Sequence, residues 1–296
     1  MIEYRLMEAL AVVVQKGGFE KAAQHLYLTQ PAVSQRIKQL EEQVGQILIA
    51  RSNPPVATLA GQQLIKHFLQ VKQLEGELFN QLNPNGEQDF VTLAIGTNRD
   101  CLTTWLLPAI SPFLMKRKIV IDFRGDDQEQ THQLMKSGEL VGCISVNEKP
   151  IQGCRVESLG CMDYRLVATP SFKDRWLPKG INKNGMRQAP LILFDRKDKM
   201  HKQFFGLIMK DIPQPLPLFF VPSNRAYTNC ILSGLAYGLL PEQECNPFLS
   251  SGEMVDLCPD TVLHVKLYWH CWNLKSKLLE DLTEQLIYHA QNLLHQ

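Results

Sequence analysis

The sequence lacks an apolar run long enough to span a membrane, which takes about 18–20 residues. Its first twenty residues carry charges at Glu3, Arg5 and Glu8 and lack the apolar stretch of a secretory signal. Cysteine is absent from the first hundred residues, and the eight cysteines that follow form no C-x-x-C pair. A chain of 296 residues can bury its core without disulfides. We therefore expect a cytoplasmic protein with reduced thiols and no membrane partner.

An excess of charge of either sign is also lacking. The formal net charge is +1, and residues 1–87 carry as many Lys and Arg residues as Asp and Glu residues. Net charge therefore does not indicate a nucleic-acid partner. A prediction of DNA binding has to rest on where the few cations and hydrogen-bonding side chains lie.

Motifs for catalysis, nucleotide binding and metal binding are missing as well. No G-x-S-x-G, P-loop or G-x-G-x-x-G occurs. The residues that come nearest to a metal pattern are Cys258, His264, His270 and Cys271. Their spacing matches no common zinc site, and both histidines fall in a strand-like run. We predict no catalytic residue, no metal and no cofactor other than a small-molecule ligand.

The first sixty residues predict three short helices in close succession. Apolar residues recur at helical spacing in the first two: Leu6, Leu10, Val13 and Val14, then Ala22, Ala23 and Leu26. Gly17-Gly18 ends the first helix. Thr29 is a suitable N-cap for the third helix, and Pro31 is tolerated in its first turn because the missing N–H would have no partner there.

The third helix has two chemically different faces. One face is apolar: Val33, Ile37, Leu40 and Val44. The other is polar: Gln30, Ser34, Gln35 and Lys38. A recognition helix needs apolar anchoring behind and short hydrogen-bonding side chains toward the major groove. A solvated amphipathic helix is the alternative, and the helix–turn–helix spacing over residues 19–38 favours recognition.

This segment resembles the winged helix-turn-helix of LysR-type transcriptional regulators. The matching residues are Phe19-Glu20-Lys21-Ala22-Ala23, Thr29-Gln30-Pro31-Ala32-Val33-Ser34 and Ile37-x-x-Leu40-Glu41-x-x-x-Gly45. The resemblance implies that Gln30, Pro31, Ser34 and Gln35 meet bases or adjacent phosphates and that Lys38 adds a phosphate contact.

The same resemblance implies that Leu48-Ile49-Ala50-Arg51 belongs to the wing, that Thr58-Leu59-Ala60-Gly61 begins the linker helix, and that Arg51 contacts DNA. The family usually has a second arginine a few residues further on. Here residues 52–57 contain no cation, with Val56 among them. This departure leaves open whether the wing inserts strongly into the minor groove.

From Gly61 to Leu82 the sequence predicts one long helix. Its apolar residues alternate in steps of three and four: Leu64, Phe68, Val71, Leu74, Leu78 and Leu82. Such a stripe favours pairing with the same helix of a second copy, and packing against its own domain is the alternative. Residues 83–86, Asn-Pro-Asn-Gly, then break the helix and are predicted to form a hinge.

The remaining residues alternate between strand and helix patterns, which predicts a parallel sheet and two α/β lobes with a ligand cleft between them. This region resembles the LysR-type effector domain, and in places the subgroup that controls export of arginine and lysine. The motifs that carry the closer resemblance are Asn98-x-Asp100-x-Leu102-x-Thr104-Trp105-Leu106-Leu107-Pro108, Asp163-Tyr164, Phe194-Asp195-x-x-Asp198-x-Met200-His201 and Leu267-Tyr268-Trp269-His270, with Pro54-Pro55 in the wing.

The predicted fold is an N-terminal all-α winged helix-turn-helix with a long linker helix, followed by a C-terminal α/β two-lobe domain like a periplasmic binding protein. The predicted domains are residues 2–58 for DNA binding, 59–87 for linker and dimerisation, and 88–296 for effector binding and oligomerisation. The resemblance implies double-stranded promoter DNA, a small-molecule effector, RNA polymerase and further copies of the chain (homodimer or tetramer) as partners.

A basic amino acid would need two kinds of group in the cleft. Its carboxylate suits a helix N-terminus with a hydroxyl or amide nearby, and the candidates are Asn98, Thr103 and Thr104. Its cations suit carboxylates, and the candidates near strand ends are Asp100, Asp127, Asp163, Asp195 and Asp198. Further cleft candidates are Ser145, Ser223 and Asn224. Cys101 stands where the family often has a serine, and a thiol donates a weaker hydrogen bond.

Three rival interpretations stay open at this point. The first is a LysR-type regulator that senses an unrelated metabolite. The second is a two-lobe solute-binding protein, which the N-terminal helical segment argues against. The third is an enzyme of amino-acid metabolism, which the absence of a catalytic set argues against.

Overall fold

The computed structural model describes residues 2–50, 52–82, 90–125 and 128–295. The first three helices begin and end at the residues that the sequence marks. They are α1 (Tyr4–Lys16), α2 (Phe19–His25) and α3 (Gln30–Val44). The Thr29 hydroxyl accepts a hydrogen bond from the backbone N–H of Ala32 at 3.4 Å, which confirms the prediction that Thr29 is the N-cap of α3. Gly17 ends α1 in the left-handed conformation, with φ at 68°.

A small core holds these helices together. Val33, Ile37 and Leu40 on α3 are buried against apolar residues of α1 and α2. Burying a side chain of this size stabilises by about 1.5–3 kcal/mol. Three such anchors on one helix fix which of its faces points outward.

A short wing follows α3 and packs against the next helix. Its strands β1 (Ile49–Ala50) and β2 (Val56–Ala57) pair antiparallel. The Glu41 carboxylate accepts a hydrogen bond from the backbone N–H of Leu48 at 2.8 Å, which fastens the start of the wing to α3. The backbone carbonyl of Leu48 lies so near Gly61 that a Cβ there would be 2.2 Å from its oxygen.

The long helix α4 (Leu59–Leu82) divides into two halves with different surroundings. In its first half Phe68 is buried, and its ring centroid lies 4.6 Å from that of Tyr4 on α1. In its second half Leu78 is 53% exposed and Leu82 is 71% exposed. The sequence prediction of one continuous stripe free for a partner was therefore wrong for the first half, because α1 covers it. None of the described helices is both long and apolar enough to cross a membrane.

The second half of α4 also touches the C-terminal domain. The Ser276 hydroxyl donates to the Glu77 carboxylate, and the backbone N–H of Leu278 lies 3.5 Å from the same carboxylate. Further back on α4, Lys66 Nζ donates to the carbonyl of Gln152 at 2.7 Å. The predicted hinge at residues 83–86 lies outside the described residues.

The C-terminal domain alternates strands and helices. In chain order these are β3 (Val91–Gly96), α5 (Arg99–Cys101), a π-helical segment (Leu102–Leu106), α6 (Leu107–Leu114), β4 (Ile119–Arg124), α7 (Gln128–Lys136), β5 (Gly142–Ser145), β6 (Cys154–Ala168), α8 (Pro170–Trp176), α9 (Lys183–Met186), β7 (Leu191–Leu193), α10 (Met200–Ile208), β8 (Leu218–Phe220), α11 (Asn224–Leu232), β9 (Gly238–Pro241), α12 (Glu242–Ser251), β10 (Val255–Asp256), β11 (Leu263–Trp272) and α13 (Lys277–Leu293).

The sheet of this domain is mixed rather than parallel throughout. Its strand order is β10-β6-β11-β5-β3-β4, and β9 also pairs with β6. β3 is parallel to β4 and β5, as predicted, whereas β11 runs antiparallel to β5 and β6. The sequence interpretation found only residues 165–168 of β6 and missed its long pairing with β11, because such a pairing joins segments about a hundred residues apart.

Two lobes contribute strands to this sheet, while β7 and β8 pair with each other in a separate parallel two-stranded sheet. We define the first lobe by β3–β5 with α5–α7 and α13, and the second lobe by β7–β10 with α8–α12. β6 and β11 run through both lobes, since one end of their ladder adjoins β5 and the other adjoins β9 and β10. Trp269 is fully buried and donates its indole N–H to Thr283 on α13 at 3.0 Å. All eight cysteines are free, and each is buried or half-buried.

Candidate functional site

The outward face of α3 is a polar surface on a rigid support. The predicted contact residues on it are all exposed: Gln30, Pro31, Ser34, Gln35 and Lys38. Lys38 Nζ lies 3.8 Å from the Glu42 carboxylate, an exposed pair that leaves the ammonium group accessible. The helix therefore presents amides, a hydroxyl and a cation on the side that faces away from the core, which is the arrangement that base-edge contact requires.

Tyr27 is a further exposed residue close in the chain to the start of α3. It lies in the turn between α2 and α3, is 95% exposed, and has φ at 54°. A non-glycine residue in the left-handed region is uncommon. Sequence reasoning did not single out Tyr27, because neither its exposure nor its left-handed conformation can be read from the local pattern.

The wing gives less information about DNA contact. Arg51 lies outside the described residues, so its predicted contact stays a prediction. Val56, where a cation was expected from the family pattern, is on β2 and half exposed.

Asp100 joins the two lobes of the C-terminal domain. One carboxylate oxygen accepts a hydrogen bond from the Tyr164 hydroxyl on β6 at 2.7 Å, and the other accepts one from Asn224 Nδ2 on α11 at 3.2 Å. Asn224 Nδ2 also lies 3.2 Å from the Thr103 hydroxyl oxygen. We call Asp100, Thr103, Tyr164 and Asn224 the interlobe cluster. The sequence predicted Asp100, Thr103 and Asn224 as separate candidates for the cleft but did not predict that they contact one another.

The pKa values of two partly buried carboxyl groups, Asp100 in the interlobe cluster and Glu244 nearby, are raised. Burial raises the pKa of the Asp100 carboxyl above its ordinary value and nearby Asp198 raises it further, while the bonds from Tyr164 and Asn224 and the charge of Arg99 act to lower it. Burial also raises the pKa of Glu244, and the charge on Asp100 contributes. The Glu244 carboxylate accepts a hydrogen bond from Thr228 on α11. Asp100 and Glu244 are therefore two neighbouring acidic groups that are partly removed from solvent, an arrangement that favours the approach of a cation.

The start of α5 is held by its own side chains. Asn98 Oδ1 accepts a hydrogen bond from the backbone N–H of Cys101 at 2.8 Å, so its amide oxygen caps the helix. The Thr103 and Thr104 hydroxyls donate to backbone carbonyls of the preceding turn. Burial raises the pKa of the Cys101 thiol to about 12, so this group stays a neutral thiol beside the interlobe cluster.

A second contact between the lobes involves Arg99. Its guanidinium lies 4.1 Å from the centroid of the Phe194 ring, and its Nη1 donates to the carbonyl of Pro222 at 3.4 Å. Arg99 and Asp100 are consecutive residues of α5, and both reach residues of the second lobe. Sequence reasoning missed Arg99, because a single arginine beside an aspartate has no distinguishing pattern.

Other predicted cleft residues are engaged elsewhere. Ser145, at the same sheet edge as Asn98, contacts His132 Nε2 at 3.1 Å. Asp195 is exposed and accepts the backbone N–H of Lys197 within its own loop. Asp198 accepts the backbone N–H groups of Phe194 and Met200. Although burial acts to raise the pKa of Asp198, the nearby imidazole of His201, whose Nδ1 lies 3.5 Å from the carboxylate, is the leading cause of its net decrease.

Three further predicted residues do not join the interlobe cluster. Ser223 is the N-cap of α11 and accepts the backbone N–H of Ala226. Asp163 is adjacent to Tyr164 on β6, so its side chain points to the opposite face of the sheet. There it lies 2.7 Å from His264 Nδ1. Asp127 lies outside the described residues.

The residues first considered for a metal site are apart from one another. His264 contacts Asp163, whereas His270 is fully buried and contacts the carbonyl of Asn147 at 2.7 Å. Trp269 and Trp272 are both buried, as expected for core aromatics.

Comparison with known proteins agrees with the two-part architecture. Residues 4–62 match the family model described as bacterial regulatory helix-turn-helix protein, lysR family, and residues 87–291 match the LysR substrate binding domain. The chain therefore belongs to the LysR family of transcriptional regulators, with a DNA-binding helix-turn-helix and an effector-binding domain. This assignment sets aside the solute-binding protein as an alternative.

Among named relatives, the chain is similar to HTH-type transcriptional regulator ArgP of Photobacterium profundum, with 38% identity over 100% of this chain and 99% of that protein. Among solved structures it is similar to ArgP from Mycobacterium tuberculosis, with a TM-score of 0.88, 33% identity and 98% of both chains covered. It is also similar to full-length LysG from Corynebacterium glutamicum with bound effector Arg, with a TM-score of 0.83, 29% identity, and coverage of 99% of this chain and 100% of that chain.

Proposed function

We propose that this regulator senses a basic amino acid, arginine or lysine, in the cleft between its lobes and controls genes of amino-acid export or metabolism. The observation that carries the proposal is the interlobe cluster with Asp100 at its centre and Glu244 nearby. The LysG structure with bound Arg supports the same ligand class.

A cationic ligand would gain most from Asp100. A hydrogen bond between a charged donor and a carboxylate contributes about 1.5–3 kcal/mol, and bidentate guanidinium pairing adds geometric selectivity. Asn98, Cys101, Thr103 and Thr104 surround Asp100 on its own helical segment, and Asn224 approaches from the second lobe. A ligand that bridges these groups would bind one arrangement of the lobes better than another and so shift their equilibrium.

Calorimetry with arginine and citrulline tests this proposal. Citrulline has nearly the same size and shape as arginine but has no cationic side chain. We expect arginine to bind at least tenfold more tightly, and Asp100→Asn to weaken arginine binding by at least tenfold, which corresponds to about 1.4 kcal/mol. The matched control is Asp195→Asn, because Asp195 is an exposed aspartate of the same domain that interacts within its own loop. Equal affinity for arginine and citrulline would point to an unrelated metabolite.

Arginine affinity should also fall in mildly acidic solution. Because the pKa values of Asp100 and Glu244 are raised, these carboxyls become neutral at a higher pH than ordinary ones and lose their attraction for a cation. We expect the dissociation constant for arginine to increase as the pH falls from neutral into the mildly acidic range, with a shallower increase in Asp100→Asn. A dissociation constant that stays flat in the wild type across this range would contradict the assignment of these groups.

The response would reach DNA through α4. Its contacts to the C-terminal domain at Glu77 and Lys66 lie on the same helix as the exposed Leu78 and Leu82, which suit pairing with a second copy. We propose a cytoplasmic homodimer or tetramer in which paired α3 helices lie about one DNA turn apart. RNA polymerase at the promoter, the absence of catalysis and the absence of a required cofactor stay predictions of the sequence interpretation.

A further inference from the structure

We propose that Asp163, Glu242 and His295 form a binding site for a divalent transition-metal ion of the zinc or manganese kind. These residues come from β6, the start of α12 and the segment after α13. One ligand atom from each lies within 4.8 Å of the other two. The site is on the face of β6 opposite Tyr164, so it is separate from the interlobe cluster.

The distances fit a metal ion in the centre of the three groups. His295 Nε2 lies 3.2 Å from a Glu242 carboxylate oxygen and 3.8 Å from an Asp163 carboxylate oxygen. Ligand atoms at about 2.1 Å from a metal are separated by about 3.4 Å in a tetrahedron. The observed separations are on either side of that value, so small side-chain movements would complete three corners and leave the fourth for water.

The second oxygen of each carboxylate has its own partner. The remaining Asp163 oxygen lies 2.7 Å from His264 Nδ1 on β11, and the remaining Glu242 oxygen accepts a hydrogen bond from Arg165 Nε at 2.6 Å. Outer partners of this kind orient metal-binding carboxylates and strengthen binding. Each carboxylate thus keeps one oxygen for the ion while the other is held in place.

The backbone fixes His295 against β6. Its N–H donates to the carbonyl of Cys161 at 3.1 Å, and its carbonyl accepts the N–H of Cys161 at 2.7 Å. Cys161 is two residues before Asp163 on the same strand. This reciprocal pair places the imidazole near the carboxylates without requiring the ion.

The local charge favours a dication. Asp163, Glu242 and Asp256 carry negative charge, whereas Arg165 carries the positive charge that pairs with Glu242 and Asp256. A neutral His295 adds a nitrogen donor without adding charge. An alternative without metal is a protonated His295 paired with both carboxylates, and the experiment separates the two.

The test is calorimetric titration of the full-length protein with Zn²⁺. A second titration uses Mn²⁺, whose binding is measured by the loss of the electron-paramagnetic-resonance signal of the free ion. Mn²⁺ is included because it has little affinity for thiols. We expect one site that His295→Ala weakens at least tenfold for both ions. The His295 side chain is 62% exposed, so its removal should leave the fold intact. Glu242→Gln should weaken the site similarly, and His264→Gln should do so to a smaller extent.

The matched control is His67→Ala, which removes an exposed histidine of α4 that takes part in none of the contacts described for this site and should leave it unchanged. In the wild type, Zn²⁺ should raise the unfolding temperature, since a ligand that binds only the folded state stabilises it. His295→Ala should abolish most of this increase. Either the absence of a one-equivalent site in the wild type or equal affinity in His295→Ala would overturn the proposal and favour the protonated ion pair. Unchanged arginine affinity with and without Zn²⁺ is expected, because the two sites lie on opposite faces of β6.

Discussion

Replacing Ser34 and Gln35 of α3 together with alanine is expected to abolish discrimination between promoter and unrelated DNA. Both side chains are exposed on the face of α3 that points away from its buried anchors Val33, Ile37 and Leu40. A good contact to a base edge contributes about 1–3 kcal/mol of discrimination. Loss of two such contacts predicts a reduction of specific affinity by about 10²-fold or more, measured by gel-shift titration on the promoter fragment that the protein protects from nuclease.

Lys38→Ala is the matched control for this double substitution. Lys38 is on the same face but carries charge, so its removal should weaken binding to all sequences alike and reduce the salt dependence by about one phosphate contact. The Ser34 and Gln35 double variant should keep the salt dependence of the wild type, and its arginine affinity should not change. If this variant still prefers the promoter over unrelated DNA, α3 does not read the sequence in the way proposed.

Gly61→Ala is expected to have the second large effect, by displacing the wing. A Cβ at this position would lie 2.2 Å from the backbone oxygen of Leu48, and backbone cannot move aside as a flexible side chain can. The Thr58 hydroxyl both donates to the carbonyl of Ile47 at 2.8 Å and accepts the N–H of Gly61 at 3.2 Å, so the wing and the start of α4 would shift together. We expect a loss of about 1–3 kcal/mol in the free energy of unfolding of the N-terminal domain. Promoter affinity should decrease at least tenfold, measured by fluorescence anisotropy.

Gly76→Ala, on the same helix, is expected to change stability in the opposite direction to Gly61→Ala. Gly76 is exposed within α4 and a Cβ there would meet nothing within 4 Å. Alanine is the better helix former, so this substitution should stabilise by about 0.5–1 kcal/mol. Thermal unfolding of both variants checks the pair. Equal effects of the two substitutions would show that helix propensity, and not the approach of Leu48, determines the outcome at Gly61.

The DNA-binding surface was largely predictable from the sequence because its determinants are local. Thr29 caps α3, Pro31 fits its first turn, and Gly45 ends it with φ at 73°. Helical periodicity then assigns each residue of α3 to one of two faces, and burial of the apolar face leaves the polar face outside. Tyr27 was missed because its exposure depends on the path of the turn.

The long helix α4 shows where local pattern stops being sufficient. Its apolar stripe predicts that these residues are buried against a partner, but it does not indicate whether the partner is another helix of the same chain or a second copy. The structure covers Phe68 with α1 and leaves Leu78 exposed. Both readings of the stripe therefore apply, each to one half of the same helix, and only the packing of α1 decides where the change occurs.

The sequence by itself determined the three helices of the DNA-binding domain, the face that α3 presents, the alternation of strands and helices, and a set of candidate polar residues. Only the tertiary structure decided which of those residues meet. Asp163 and Tyr164 are neighbours in the chain, yet Tyr164 binds Asp100 while Asp163 faces His264 and lies near His295. The physical reason is that consecutive side chains of a strand point to opposite faces of the sheet. The pairing of β6 with β11 then determines which residues lie next to each face. Contacts between residues far apart in the chain depend on that pairing, which no local pattern contains.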